Sequence, residues 1–241
     1  MEFIAHRGAS AHAPENTLIS FKKALDLKAK ALELDIAESR DGRLVVVHDD
    51  NLKRVAGMPG RVEAYTASQM KKMDAGSWFS KEYAGEGIPT LDEVLKLVGK
   101  KAQINIEMKG GCRIYPKIEE KLSRLLKKQA QRSQFLISSF DHEALFHFRA
   151  LDEKARIGYL LGRTSIARAF KEMAELKAES LNLSGRQVNA RIISAAHAKG
   201  FKVLVYTVNK IQEARRLEKI GVDGIFTNFP EMKNGFYAFS S

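Results

Sequence analysis

The segment ALELDIAESRDGRLVVVH, residues 31–48, contains two strand-like runs on either side of a turn signal. The runs are ALELDI (31–36) and LVVVH (44–48), and the link between them, which includes SRDGR (39–43), is too short for the crossover that joins parallel strands. Asp41-Gly42 is a frequent hairpin turn, so we predict that the two runs pair as antiparallel neighbours.

The position of the turn also predicts which residues face each other. With Asp41 and Gly42 at its centre, counting outward places Asp35 opposite His48. Directly opposite residues of an antiparallel pair share one face of the ribbon. We therefore expect the Asp35 carboxylate and the His48 imidazole on the same face.

Outside this hairpin, short apolar or β-branched runs alternate with helical stretches, the pattern of βα units around a parallel sheet. With LVVVH set aside as a side strand, eight runs remain: FIAH (3–6), ALELDI (31–36), INIEMK (104–109), FLISS (135–139), RIGYLL (156–161), SLNL (180–183), KVLVYT (202–207) and GIFT (224–227). Eight parallel strands close a (β/α)8 barrel, and 241 residues suit that fold. We predict an α/β protein with a TIM-type barrel in a single domain, residues 1–241, an antiparallel side strand, and a small capping insertion at about residues 49–88.

Helix starts carry residues that satisfy the unpaired groups of a first turn. Thr66 with Gln69, and Thr90 with Glu93, have the spacing of capping boxes. Asn189 is a candidate N-cap residue. Asn209 is another, so we predict helices after all four positions.

Composition excludes several classes of protein. With 44% hydrophobic and 29% charged residues, the chain is neither disordered, collagen-like nor a coiled coil. No apolar run approaches the ~20 residues that span a bilayer, and the start MEFIAHRGAS (1–10) does not resemble a secretory leader. The single cysteine, Cys112, cannot form an internal disulfide, which fits a reducing compartment. We expect a cytoplasmic protein without stable membrane insertion.

The net charge of +11 raises the alternative of a module that binds phosphate or nucleic acid. The densest basic cluster, residues 117–132, places apolar residues at helical spacing and its basic residues on the other face. That pattern is typical of a solvated outer helix. We therefore expect a small-molecule substrate and no nucleic acid, and the sequence gives no indication of oligomeric state.

Polar and apolar residues alternate in two of the predicted barrel strands, ALELDI and INIEMK. The apolar face of each strand must meet the surrounding helices, so the other face points into the barrel. The inward side chains are then Glu33, Asp35, Asn105, Glu107 and Lys109.

Three converging buried carboxylates require cations, because burying one unpaired carboxylate costs several kcal/mol. One interpretation is an internal salt-bridge network around Lys109. The other is a divalent-metal site on Glu33, Asp35 and Glu107, whose all-oxygen donors favour Mg²⁺ or Ca²⁺ over Zn²⁺. These carboxylates, one divalent ion, Arg7 and Lys109 together carry a charge of +1, which a singly charged phosphodiester would balance.

Two histidines complete this group of residues. His6 ends the first predicted strand, and His48 ends the hairpin strand. A single histidine at a strand end is usually structural, but two beside a metal site can act as general base and general acid near neutral pH. We predict that they are catalytic.

The order of motifs resembles that of glycerophosphodiester phosphodiesterases nearly from end to end. The matching stretches are HRGASAHAPENT (6–17), ELD (33–35), DGRLVVVHDD (41–50), IPTLDEVL (88–95), IEMK (106–109), SSF (138–140), YTVN (206–209) and GVDGIFTNFP (221–230). The resemblance implies metal-dependent hydrolysis of glycerophosphodiesters to glycerol 3-phosphate and an alcohol, through a cyclic phosphate. The alternative within the same barrel type is a phospholipase-type phosphodiesterase that acts on lysophospholipids or phosphoinositides.

The resemblance also implies a role for each matching residue. One divalent cation, Ca²⁺ or Mg²⁺, is expected on the three carboxylates, with the two histidines as acid/base pair and Arg7 and Lys109 on the phosphate. Tyr206 stands where many relatives have Trp, and is expected to keep an aromatic wall against the substrate. Asn228 stands where relatives usually have Asp, and both departures are expected to affect the choice of alcohol more than the reaction.

Overall fold

The strands of the computed structural model form one sheet. The structure describes residues 1–237, apart from the side chains of Cys112, Arg113 and Tyr237. The Cys112 thiol and the last four residues of the predicted domain therefore lie outside the described residues. The strands are β1 (Glu2–His6), β2 (Ala31–Glu38), β3 (Leu44–Val46), β4 (Gln103–Met108), β5 (Phe135–Ser139), β6 (Arg156–Leu160), β7 (Ser180–Ser184), β8 (Lys202–Tyr206) and β9 (Gly224–Thr227).

Eight of these strands close into a parallel barrel. The sheet order is β1-β9-β8-β7-β6-β5-β4-β2-β3, and β1 also pairs with β2, which closes the ring. The remaining strand, β3, pairs with β2 alone and is antiparallel to it. The predicted TIM-type barrel with an antiparallel side strand is confirmed.

Helices surround the barrel and cover its apolar outer face. In residues 1–237 they are α1 (Leu18–Asp26), α2 (Lys53–Ala56), α3 (Ala67–Lys71), α4 (Leu91–Val98), α5 (Gly111–Ile114), α6 (Ile118–Lys127), α7 (His142–Leu151), α8 (Ile166–Leu176), α9 (Ala190–His197), α10 (Ile211–Lys219) and α11 (Met232–Tyr237). None of the described helices is both long and apolar enough to cross a membrane. The main core lies between these helices and the sheet, and a smaller apolar cluster of Ile4, Ala31, Leu204 and Phe226 packs separately.

Three of the four predicted caps are present. Thr66 with Gln69 and Thr90 with Glu93 form complete capping boxes, and the Asn189 side chain accepts from the first turn of α9. The prediction for Asn209 is wrong, because Lys210 precedes α10 and the Asn209 Oδ1 atom instead accepts from the backbone of the loop after β9.

The hairpin register differs by one residue from the prediction. Ile36 pairs with Val46, so Asp35 lies opposite Val47 rather than His48, and the Val47 amide donates to the Asp35 carbonyl at 3.0 Å. The cause is a three-residue loop that ends in Gly42, whose φ of 74° is left-handed. His48 itself lies beyond the end of β3, so the pleat of that strand does not set its direction.

The segment predicted as an insertion lies between β3 and α4 and contains α2, α3 and two short 3-10 turns. It contacts the loop that follows β1, where the Tyr83 hydroxyl donates to the His12 carbonyl at 2.8 Å. This contact places the segment beside the carboxyl ends of the barrel strands, the end at which enzymes of this architecture carry their active sites.

Candidate active site

Three carboxylates meet inside the barrel near the carboxyl ends of β2 and β4. Asp35 and Glu107 are register partners on these strands, and Glu33 lies on the same face of β2. One oxygen of each lies within 4.8 Å of the others. Glu33 and Asp35 are almost fully buried, at 3% and 1% exposure. The predicted convergence of these side chains is therefore present in the fold.

The cluster borders a cavity of about 190 Å³. All predicted site residues except the buried Asp35 line this cavity, together with five further residues. The lining is His6, Arg7, Glu33, His48, Asn105, Glu107, Lys109, Phe140, Leu160, Tyr206, Thr207 and Phe226.

Burial and mutual repulsion perturb the carboxylates strongly. Burial, followed by the charges of Asp35 and Glu107, raises the pKa of Glu33 well above its ordinary value. Burial also raises the pKa of Glu107 to about 7. Burial alone would raise the pKa of Asp35 too, but the Arg7 guanidinium and the Lys109 ammonium lower it below its ordinary value.

The positive side chains of the site neutralise the cluster incompletely. Lys109 Nζ lies 2.9 Å from Glu107 Oε1 and 3.7 Å from Asp35 Oδ1, and Arg7 Nε lies 3.2 Å from Asp35 Oδ2. Two cationic side chains thus face three carboxyl groups, and the buried Asp35 Oδ1 has no hydrogen-bond partner. A salt-bridge network alone leaves Glu33 without a paired ammonium or guanidinium group among the described residues, whereas the all-oxygen donor set of the three side chains fits a hard divalent cation.

The loop after β1 is built around these carboxylates. Arg7 has a φ of 55°, and its backbone amide donates to Glu33 Oε2 at 2.9 Å. Gly8 follows with a φ of 84°, and a Cβ there would lie 2.7 Å from the backbone of Ser20, so a larger residue does not fit. Asn16 Nδ2 donates to Asp35 Oδ2 at 2.9 Å. The HRG and PENT stretches therefore hold the loop against the cluster.

The two histidines have different partners. His6 Nδ1 lies 2.8 Å from the Asn228 amide oxygen, and its Nε2 lies 4.0 Å from Glu33 Oε2. Burial, followed by the positive charge of Arg7, lowers the pKa of His6 to about 4. His48 Nδ1 lies 2.6 Å from a carboxylate oxygen of Asp49. One imidazole is thus held by a neutral amide and the other by an anion.

Sequence reasoning missed several residues that shape the site. Phe140, of the SSF stretch, is 46% exposed at the cavity, with its ring centroid 6.1 Å from that of Tyr206. It also lines a neighbouring cleft of about 570 Å³. Asn228 stood out only as a departure from relatives, and its contact with His6 joins residues 222 positions apart. No local pattern reveals such a contact.

The chain is similar to known proteins over nearly its full length. Residues 6–232 match the model of the glycerophosphoryl diester phosphodiesterase family. The chain is 38% identical to a glycerophosphodiester phosphodiesterase of Caldanaerobacter subterraneus subsp. tengcongensis, with 95% of this chain and 94% of the relative covered. It is 36% identical to a glycerophosphodiester phosphodiesterase of Bacillus altitudinis, with 95% of each covered.

A solved structure is similar over nearly the full length. It is an Oleispira antarctica phosphodiesterase in complex with the product sn-glycerol-3-phosphate, with a TM-score of 0.92 at 30% identity, covering 99% of this chain and 97% of that one. The barrel, the motif order and these relatives lead to one conclusion: the chain belongs to the glycerophosphoryl diester phosphodiesterase family.

Proposed function

We propose that this enzyme hydrolyses glycerophosphodiesters to glycerol 3-phosphate and an alcohol. The observation that carries the proposal is one small cavity in which three carboxylates, two cationic side chains and two imidazoles converge. The similar Oleispira antarctica enzyme holds sn-glycerol-3-phosphate as its product, which supports the same product here.

Glu33, Asp35 and Glu107 would hold one divalent cation, Ca²⁺ or Mg²⁺. When bound, such an ion polarises a phosphate oxygen and acidifies a nearby substrate hydroxyl. Arg7 and Lys109 supply positive charge beside the cluster, where the phosphoryl oxygens gain negative charge in the transition state. The aromatic rings of Phe140 and Tyr206 form the wall against which the substrate packs.

The partners of the two histidines suggest their order of action. With the amide oxygen of Asn228 facing Nδ1, His6 carries its proton there, and its Nε2 lone pair is free to accept a proton. Asp49 offsets the charge of a protonated His48. We therefore assign His6 as the base and His48 as the acid of the first step.

In that step, His6 removes the proton from the glycerol hydroxyl next to the ester, and this oxygen attacks phosphorus. The bond from phosphorus to the alcohol oxygen breaks, and His48 donates its proton to that oxygen. The product is a cyclic glycerol phosphate. Water then opens the ring with the two histidines in reversed roles, which restores both protonation states.

A phospholipase-type activity on lysophospholipids or phosphoinositides is the second candidate. The cavity of about 190 Å³ is smaller than the roughly 300–1,000 Å³ of pockets for drug-sized ligands, which favours a compact glycerol phosphate group. A phosphate- or nucleic-acid-binding module would leave the three inward carboxylates without a role. The cytoplasmic location stays a prediction.

A coupled assay for glycerol 3-phosphate tests reaction, substrate and metal together. Glycerophosphocholine and glycerophosphoethanolamine are offered with and without a chelator, beside micellar lysophosphatidylcholine. We expect release from the soluble diesters, loss with chelator, and recovery with Ca²⁺ or Mg²⁺. Full activity in excess chelator would contradict the metal site, and turnover of the micellar lipid alone would favour the phospholipase.

A further inference from the structure

Arg54 lies on the short helix α2, and every nitrogen of its guanidinium group donates a hydrogen bond to one of two carboxylates. Nε donates to Asp49 Oδ2 at 2.5 Å, while the two terminal nitrogens donate to the two oxygens of Glu15 at 3.1 and 2.7 Å. The guanidinium carbon also lies 5.6 Å from the ring centroid of Trp78. Its donors are thus directed at protein groups rather than at the cavity.

Each of these carboxylates in turn holds a residue of the active site. Asp49 Oδ1 lies 2.6 Å from His48 Nδ1, and Glu15 Oε1 accepts from Arg7 at 2.9 Å. The result is a continuous chain of side-chain hydrogen bonds, Arg7–Glu15–Arg54–Asp49–His48. It joins the loop after β1 to the loop after β3.

An isolated ion pair on a protein surface contributes little to stability. The Arg54 contacts differ from such a pair in geometry and in burial. The bond to Glu15 is bidentate, and the Glu15 side chain is only 14% exposed. A lysine ammonium has no planar fork and cannot make the same three bonds at once. The arrangement is therefore specific for arginine.

We propose that Arg54 is a positioning residue that fixes the His48 imidazole and the Arg7 guanidinium relative to each other. The proposal rests on the proposed function, since it assigns Arg54 to the support of that same site. It also gives the segment between β3 and α4 a role in catalysis, because this segment supplies the guanidinium group that links the two loops. Misplacement of catalytic groups by about 1 Å can cost about 100-fold in rate, so loss of the link should lower turnover.

The kinetic test compares Arg54→Ala and Arg54→Lys with a matched control, Arg61→Ala. Arg61 belongs to the same segment and pairs with Asp50 and Glu63, away from the cavity lining. With glycerophosphocholine we expect kcat to fall about 10- to 100-fold in Arg54→Ala and less in Arg54→Lys. Arg61→Ala should stay within about twofold of wild type, since it breaks only exposed ion pairs.

Added guanidinium ion at low concentration should restore part of the kcat of Arg54→Ala, while ammonium at equal ionic strength should not. Such rescue requires a folded site that lacks only the guanidinium group. If Arg54→Ala does not fold, Arg54→Lys carries the kinetic test. Wild-type kcat in both Arg54 variants, or a loss that guanidinium leaves unchanged in a folded variant, would overturn the proposal.

A second readout does not depend on activity. In protein with ¹⁵N-labelled histidine, the ring nitrogens of His48 should shift in Arg54→Ala and stay unchanged in Arg61→Ala. If wild type hydrolyses no glycerophosphodiester, the proposed function fails while the His48 shift still tests the link. If wild type is active but neither kcat nor the His48 signals respond to Arg54, the link fails and the function stands.

Discussion

Binding of a divalent cation should weaken sharply as the pH falls below 8. The ion binds carboxylates only in their deprotonated form, so any proton on Glu107 must leave first. Burial raises the pKa of Glu107 to about 7, inside the physiological range. The proton therefore competes with the cation at neutral pH, whereas it would not at an ordinary carboxylate.

The size of the effect follows from that pKa. Glu107 is about one-tenth protonated at pH 8 and about nine-tenths protonated at pH 6, so the dissociation constant should rise about tenfold, or about 1.4 kcal/mol. The pKa of Glu33 is raised in the same direction and makes the dependence steeper. The pKa of Asp35 is lowered, so Asp35 does not contribute to the change in cation affinity between pH 6 and pH 8.

Isothermal titration of the metal-free protein with Ca²⁺ or Mg²⁺ at pH 6, 7 and 8 measures the effect. Buffers of different ionisation enthalpy report the protons released on binding. Glu107→Gln is the control, because it should bind more weakly and lose the share of the pH dependence that Glu107 contributes. Equal dissociation constants at pH 6 and pH 8 in the wild type would refute the idea that these buried, mutually repelling carboxylates form the cation site.

Three further outcomes are expected. His6→Ala and His48→Ala should each lower kcat about 100-fold or more with unchanged circular dichroism, and near-normal turnover in either would remove that histidine from the mechanism. Phe140→Ala should raise KM for glycerophosphocholine about 2- to 10-fold with little change in the melting temperature, and an unchanged KM would remove Phe140 from the substrate wall. Thr90→Ala should lower the free energy of unfolding in urea by about 1 kcal/mol, because it breaks the capping box of α4; a difference near zero would mean that the box adds no stability.

Strand periodicity predicted much of the barrel and of its acidic centre. All nine predicted strands are present, with ends that differ by at most two residues. Glu33, Asp35 and Glu107 alternate with apolar neighbours, and the direction of a side chain in a strand follows from the local pleat. Their convergence could therefore be inferred before any contact between the strands was known.

The same reasoning predicted the wrong hairpin register, because a single residue changed the length of the loop. The left-handed Gly42 extends the hairpin loop to three residues and shifts the register, so Asp35 does not face His48. His48 nevertheless reaches the cavity, because the chain leaves β3 at Val46 and turns towards the site. His48 therefore lines the cavity that the carboxylates border, although its predicted pairing with Asp35 is wrong.

The sequence by itself determined which side chains face into the barrel, because that property depends on a two-residue repeat within one strand. Only the tertiary structure decided what those side chains contact. Asn228 meets His6 because closure of the barrel places β9 beside β1, and Arg54 meets Glu15 because the segment after β3 returns to the loop after β1. Such contacts depend on how distant segments pack, and no periodicity within a single segment encodes that packing.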